Sequence, residues 1–320
     1  MECVEVSAPS HVHVGNIDIH GGLGRLYGTL GFALEEPRLR IRLCSSHADT
    51  SVRGSKRIEF ERYLKLFAKR YNLNFEAEVL EEIPAHVGLG STTPIALSIG
   101  YATALLSGRE PVLEEIAALT GRSMISGLGF YTFKTGGFIV DGGFKPGSKR
   151  VPPLLFRIPM PRSLSIIYAV PARPVPEILE LKAREDTVLQ EMPPMDEEMA
   201  MRNARILAMG ILPAAAEGDW RELGGYLYRL NRGLGEYWAS RQGDVYCCSE
   251  VDEIVDYFVR GGAFCACQSS WGPTVYALVP SKRRDPLYHG LTKLLEKLGG
   301  GIHGATSVDN DGARVVLRRG

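Results

Sequence analysis

Net charge is the first thing this sequence lacks. Lys+Arg and Asp+Glu both number 37 in its 320 residues, so no long-range field draws the chain to nucleic acid or to an anionic membrane. Its expected partners are small molecules. Long apolar runs are missing too, none approaching the roughly 18 residues needed to cross a bilayer. The opening segment, Met1-Glu2-Cys3-Val4-Glu5-Val6, is acidic where a secretory leader carries Lys or Arg before an apolar stretch. A cytoplasmic location is the expectation. The six cysteines, Cys3, Cys44, Cys247, Cys248, Cys265 and Cys267, include no C-x-x-C spacing of a zinc or redox centre. Buried reduced thiols are expected, with a disulfide as the alternative. Internal repeats and low-complexity tracts are also absent.

What is present suits a folded enzyme. Hydrophobic residues make up 45% and charged residues 23%, enough apolar surface for a core, and the length suggests two lobes of about 150 residues each. Val4, Val6, Val12 and Val14 alternate with polar neighbours, as does Arg38 to Leu43, and both stretches read as half-buried strands. Phe60, Leu64 and Phe67 fall at helical spacing between Arg57 and Tyr71. Strand signals follow at Glu76 to Ile83, and an Ala- and Ser-rich helix at Thr92 to Leu106. A short helix at Glu114 to Leu119 follows Pro111, and Phe138-Ile139-Val140 reads as a buried strand.

Pro146, Pro152, Pro153, Pro159 and Pro161 mark a boundary, dividing the chain into residues 1–155 and 156–320. Beyond them, Ser165 to Val170, Val275 to Val279 and Arg314 to Leu317 read as strands, and Glu197 to Tyr237 as helices. Ser249 with Asp252 reads as a capping box, and Asp285-Pro286 as the opening of a helix that stops at Gly299-Gly300-Gly301. The fold class expected is α+β.

The segment Pro84 to Thr93 (PAHVGLGSTT) lies between a strand and a helix, where free amides at a helix start can face an anion. Gly88, Leu89, Gly90, Ser91 and Thr92 are the expected phosphate cradle, with Ser91 or Thr92 offering a hydroxyl to phosphate or to Mg²⁺. No Gly-Lys-Ser/Thr follows, so this is not a Walker loop. The bland alternative is a connection whose Ser or Thr merely caps the helix.

The order of three blocks resembles the GHMP kinase superfamily: Ala8-Pro9-Ser10, Pro84 to Thr92, and the late loop Cys267-Gln268-Ser269-Ser270-Trp271-Gly272-Pro273-Thr274. The resemblance implies a two-lobed fold with an N-terminal α/β lobe, similar to a ribosomal-protein domain, and a ferredoxin-like C-terminal lobe. Kinases of the mevalonate type carry an aspartate in a Ser-Gly-Ile-Asp block to handle the proton of the accepting hydroxyl. Here the block reads Ser126-Gly127-Leu128-Gly129, with glycine where that base would stand. Its continuation, Phe130 to Gly143, closely resembles the archaeal β-ribofuranosylaminobenzene 5'-phosphate synthases. So do His13 to Leu30, His86 to Ser91, Arg122-x-x-x-Ser126-Gly127 and Ser269 to Tyr276.

That resemblance implies condensation of 5-phosphoribosyl diphosphate with 4-aminobenzoate or 4-hydroxybenzoate, releasing pyrophosphate and CO₂, for methanopterin-type cofactors. Such a reaction calls for Mg²⁺ and oriented amides around a developing polyanion. Arg25, Arg122 and Lys134 stand inside the motifs and are the cations expected at the sugar phosphate, against the alternative of solvated charges. His11 and His13 share one strand face, and His13, Asp18 and Asp141 are the expected catalytic groups. Asp18 and Ser91 are the expected Mg²⁺ ligands, and Ser126, Gly127, Gly129, Ser269, Ser270 and Gly272 the substrate-binding residues. A homodimer is a further implication of the resemblance. The alternatives are an ATP-dependent small-molecule kinase and a non-catalytic nucleotide-binding protein.

Overall fold

The computed structural model describes residues 2–172 and 191–319. Its frame is a long antiparallel pair, β1 (Glu2–Asp18) and β2 (Tyr27–Ser46). Val4, Val6, Val12 and Val14 of β1 are buried, as their alternation predicts. Register shifts occur after Pro9 and between His13 and Gly15. The second keeps His11, His13, Asn16 and Asp18 all on the half-exposed face, because an extra residue at a bulge restores the side-chain parity.

Around this pair the first sheet is completed by β3 (Ser51–Arg53), β4 (Asn74–Glu81), β5 (Phe138–Asp141), β6 (Leu154–Ile158) and β11 (Arg314–Arg319). The helices α1 (Ile58–Tyr71), α2 (Thr92–Leu106), α3 (Leu113–Thr120) and α4 (Leu128–Thr135) accompany it. Almost the whole of α2 is buried, which suits its small side chains: at Gly100 an added Cβ would meet Ile116 and Phe67 at 2.3 and 2.7 Å. The short helix α4 occupies what the sequence presents only as a glycine-punctuated stretch.

The second sheet contains β7 (Leu164–Pro171), β8 (Cys265–Gln268), β9 (Val275–Pro280) and β10 (Gly301–Thr306), ordered β10-β7-β9-β8 with every pair antiparallel. Between β7 and β8 lie α5 (Glu197–Ile206), a π-helical turn (Leu207–Ile211), α6 (Leu212–Glu217), α7 (Trp220–Gln242) and α8 (Ser249–Arg260). Helix α9 (Ser281–Lys297) joins β9 to β10. Taken with α8 and α9, this is the split βαβ order of a ferredoxin-like lobe. Its core joins Val251, Ile254 and Phe258 of α8 and Leu291 of α9 to Ile167, Val275 and Ala277 of the sheet. The chain's end then leaves this lobe, since β11 pairs with β1 from Glu2↔Arg319 to Ser7↔Arg314.

Three local expectations are corrected. Cys3 and Cys44 lie directly opposite on β1 and β2 and form a disulfide, so that pair is not reduced; Cys247, Cys248, Cys265 and Cys267 are free thiols. Ser249 and Asp252 make no capping box, because the extended residue at the helix entry is Cys248 and the Ser249 hydroxyl turns to the Glu250 carboxylate. Helix α9 begins at Ser281, ahead of Pro286, which stands inside it.

One buried ion pair ties the chain's end to the first sheet. Arg38 on β2 and Asp309 are both essentially inaccessible, and the same carboxylate accepts the amides of Asp311 and Gly312. Asp309→Ala would leave a guanidinium buried without its counter-charge, so we expect a loss of about 3–5 kcal/mol in urea unfolding. An unchanged midpoint would show that the pair adds nothing.

Candidate active site

The three sequence blocks meet where β1 passes the glycine-rich turn. Gly88 (φ 106°) and Gly90 (φ 65°) both need the left-handed region that side chains avoid. A Cβ on Gly90 would lie 2.1 Å from His11 Cε1, and one on Gly88 would lie 2.8 Å from the Ser269 carbonyl. The protein itself therefore fills the space above these two glycines: His11 sits on one and the late loop on the other. Leu89 is buried and its carbonyl accepts the His11 amide. Ser91 is buried, and its hydroxyl does not cap α2. The bland reading of Ser91 as a cap is thereby excluded, and among the described residues no side-chain partner satisfies the amide at Thr92, which no helix satisfies internally.

The late loop is clamped onto both neighbours. The fully buried Ser269 hydroxyl donates to the Gly88 carbonyl at 2.6 Å and accepts the His13 amide at 2.9 Å. Gly272 lets the loop approach, since a Cβ there would stand 2.2 Å from the Val87 carbonyl, the same carbonyl that accepts both the amide and the hydroxyl of Thr274. Ser270 adopts φ 55° and donates its amide to the His13 carbonyl. A non-glycine residue held there is strained, a condition concentrated at functional sites.

The Ser126 to Gly129 block approaches from the other side, at the start of α4. Gly129 faces Thr93 in the first turn of α2, with a Cβ position 3.0 Å from the Thr93 Cβ. Its φ is ordinary, so close packing rather than backbone conformation explains the glycine. Ser126 Oγ shares a hydrogen bond with the Thr29 hydroxyl and accepts the Leu128 amide. Asp141 is wholly buried and accepts the amides of Thr29, Gly127 and Gly143 and the hydroxyl of Thr29. Burial pushes its carboxyl above the ordinary carboxylate range against those bonds. With its lone pairs engaged by the fold, Asp141 is a positioning residue that ties α4 to β2 rather than a group facing substrate.

The remaining candidates separate. Asp18 stands seven residues along an extended strand from His11, about 20 Å away, and its Oδ1 accepts the amides of His20 and Gly21 as in a turn cap. Asp18 and Ser91 are therefore not brought together as one metal pair. Arg25 donates to the carbonyls of Gly142 and Gly143. Lys134 pairs with Glu114 on the surface, and that pairing holds the Glu114 carboxyl below its usual range, burial opposing it. Arg122 differs from both: its Nε is buried with no hydrogen-bond partner among the described residues.

Two features escaped the sequence reading. Arg57, at the entry to α1, donates to Glu59, whose same oxygen lies 3.6 Å from Nε2 of His86 in the phosphate turn. Periodicity presented Arg57 and Glu59 as ordinary members of an amphipathic helix. Next along the β1 row, a recess is lined by His13, Asn16, Asn231, Trp238 and Trp271, with the two indole rings 4.7 Å apart. Asn231 anchors it, donating to the carbonyls of Val14 and Gln268 and accepting the Gln268 amide. No local motif marks α7 as a wall of this recess.

Ser269→Ala would orphan a buried carbonyl and a part-buried amide at once, so we expect a loss of about 1–3 kcal/mol in urea unfolding. Ser91→Ala, at a hydroxyl with no capping role, is expected to leave stability within about 0.5 kcal/mol of the parent. Equal stability of Ser269→Ala and the parent would contradict the clamp.

Known proteins share this fold and much of this sequence. Residues 211–297 match the family described as GHMP kinases C terminal. The β-ribofuranosylphenol 5'-phosphate synthase of Archaeoglobus fulgidus is 32% identical over 299 residues, covering 87% of this chain and 88% of that protein. The synthase of the same name from Methanothermobacter thermautotrophicus is 31% identical, covering 87% and 89%. Mevalonate diphosphate decarboxylase from Enterococcus faecalis shares the fold, with a TM-score of 0.69 at 13% identity over 99% of each chain. On these grounds the chain belongs to the β-ribofuranosylphenol 5'-phosphate synthase family, built on the GHMP kinase fold.

Proposed function

We propose that the protein condenses 5-phosphoribosyl diphosphate with a 4-substituted benzoate, releasing pyrophosphate and CO₂ to form a C-riboside 5'-phosphate. The observation that carries this reading is Gly129, which packs on Thr93 and, by the resemblance of its block, stands where kinases of the mevalonate type carry an aspartate base. The acceptor favoured is 4-hydroxybenzoate, since the relatives are named for a phenol product; 4-aminobenzoate is the other member of the class. The product would serve methanopterin-type cofactor synthesis.

In this reading the diphosphate lies on the Gly88 to Thr92 turn, where the amides of the α2 N-terminus stabilise charge that grows as the anomeric C–O bond breaks. The ring carbon bearing the carboxylate attacks the anomeric carbon, and loss of CO₂ returns the electron pair to the ring. No electron-sink cofactor is needed. His11 and His13 line the same face of β1 and would orient the acceptor and its 4-substituent. Among the described residues no group of three or more His, Cys, Asp or Glu side chains is arranged to hold a metal. Mg²⁺ would therefore reach the site on the diphosphate, with the Ser91 hydroxyl as the protein's ligand, and would neutralise the leaving group. A homodimer in the cytoplasm completes the proposal; among the described residues no helix is long and apolar enough to cross a membrane.

The phosphosugar test separates the cations. Arg122→Ala should raise KM for 5-phosphoribosyl diphosphate about tenfold or more through loss of a charge-assisted contact. Lys134→Ala, which removes only a surface pair with Glu114, should stay within about twofold of the parent. The reverse ranking would move the sugar phosphate away from Arg122, and no pyrophosphate from either benzoate would overturn the reaction itself.

A further inference from the structure

Outside the candidate site, the free thiols form one arrangement that the proposed reaction leaves unused. Cys247 and Cys248 are adjacent in sequence and their sulfurs lie 3.7 Å apart. Cys247 is buried whereas Cys248 is partly exposed. Cys248 holds the extended position at the entry to α8, one residue before the helix. There the aligned amides of the first turn favour negative charge. The other free pair, Cys265 and Cys267, is buried within β8.

We propose that Cys247 and Cys248 form an oxidisable vicinal dithiol: Cys248 is the peroxide-reactive thiolate, Cys247 resolves it, and the resulting bridge alters the late loop of the candidate site. The neighbouring Cys247 thiol holds the Cys248 thiol below its ordinary range, the Val251 amide assisting, against the opposing effects of burial and the nearby Glu250 carboxylate. The hydrogen bond to Cys248, together with burial, holds Cys247 above its ordinary range, so Cys248 ionises first and Cys247 keeps its proton until it attacks. Burial pushes Cys267 well above that range as well, and no exposed thiol lies beside it in β8.

The chemistry balances with a hydroperoxide as oxidant. The Cys248 thiolate attacks one peroxide oxygen, the O–O bond breaks, and hydroxide leaves with the electron pair; it takes up the proton Cys248 gave to solvent and becomes water. Cys248 is now a sulfenic acid. The Cys247 sulfur attacks it, the S–O bond breaks, and that oxygen departs as water with the Cys247 proton. Two thiols are oxidised and one hydrogen peroxide is reduced to two waters. The sulfurs must close by less than about 2 Å to reach bonding distance, which the peptide between them must accommodate by turning.

That turning would be transmitted. The Cys247 amide donates to Gln268 Oε1 at 2.9 Å, and Gln268 Nε2 donates to the Ser270 carbonyl and to Gln242. Ser270 in turn bonds the His13 carbonyl, and Trp271 beside it lies tilted against Trp238, ring centroids 4.7 Å apart. Movement of the Cys247 amide therefore pulls on the residue that orders the late loop.

The experiment treats the full-length protein with stoichiometric hydrogen peroxide and follows free thiols, intact mass and tryptophan fluorescence. The parent should lose two thiols and two hydrogens, with peptide mapping locating the bridge at Cys247–Cys248, and its fluorescence should shift and be restored by dithiothreitol. Cys247→Ser should stop at a sulfenic acid trapped by a 1,3-dione at Cys248, and Cys248→Ser should lose reactivity at this pair about tenfold or more. Reaction first at Cys265 or Cys267, or an undiminished rate in Cys248→Ser, would overturn the dithiol. A bridge that forms with unchanged fluorescence would overturn the transmission to the loop.

Discussion

The site depends on one buried hydroxyl. Ser269 Oγ bonds the Gly88 carbonyl on one side and the His13 amide on the other, joining segments separated by 181 and 256 residues in sequence. The Gly88 carbonyl is buried and the His13 amide part-buried, and backbone groups taken out of water must find a hydrogen bond within the protein. The glycines follow from this constraint. Gly88 and Gly272 allow the two loops to lie within backbone contact, and Gly90 accepts the ring of His11. The glycine-rich turn is thus shaped by protein pressing on one side, and the proposed function sets the ligand at the helix-start amides on the other.

The same fold carries kinases and decarboxylases among its solved members, so architecture alone does not decide the chemistry. The difference lies in local residues. Position 129 is filled by close helix packing rather than a carboxylate, and Asp141, the nearest buried acid in the block, is committed to three amides and a hydroxyl. On the proposed reading, a site without either base keeps the glycine-rich turn as an anion cradle, beside a row of imidazole and amide groups along β1. That inventory suits departure of a diphosphate from a sugar, which needs charge stabilisation more than proton abstraction.

Much of this was legible in the sequence because it rests on period and order. The alternation in β1 and β2, the helical spacing of Phe60, Leu64 and Phe67, and the small residues of α2 appear in the structure as expected. The order of the three blocks gave the resemblance to the fold in which the glycine-rich turn and the late loop come together. What was not legible depends on tertiary geometry. A one-residue bulge between His13 and Gly15 decides which side chains share the row with His13. Cys3 and Cys44 look like separate thiols until strand register sets them opposite. Asp141 and Asp18 read equally well as catalytic acids or as turn-forming acids, and only their donors distinguish them. Arg25, Arg122 and Lys134 are the same in charge and motif context, and only their partners tell them apart: Arg25 and Lys134 are bonded within the protein, whereas Arg122 Nε is buried without a partner among the described residues. The return of β11 to the first sheet is likewise invisible to local pattern, because strand pairing over more than 300 residues leaves no periodic trace.

The central claim is that the residue at 129 excludes the kinase reaction and belongs to a synthase. It is tested most directly by measuring ADP from ATP with small alcohols, and pyrophosphate from 5-phosphoribosyl diphosphate with 4-hydroxybenzoate, for the parent and for Gly129→Asp. The account predicts pyrophosphate but no ADP from the parent, with lower pyrophosphate output from the variant, because the new side chain collides with Thr93 and its charge opposes a bound polyanion. ADP formation that rises in Gly129→Asp would contradict it and return the chain to the kinases.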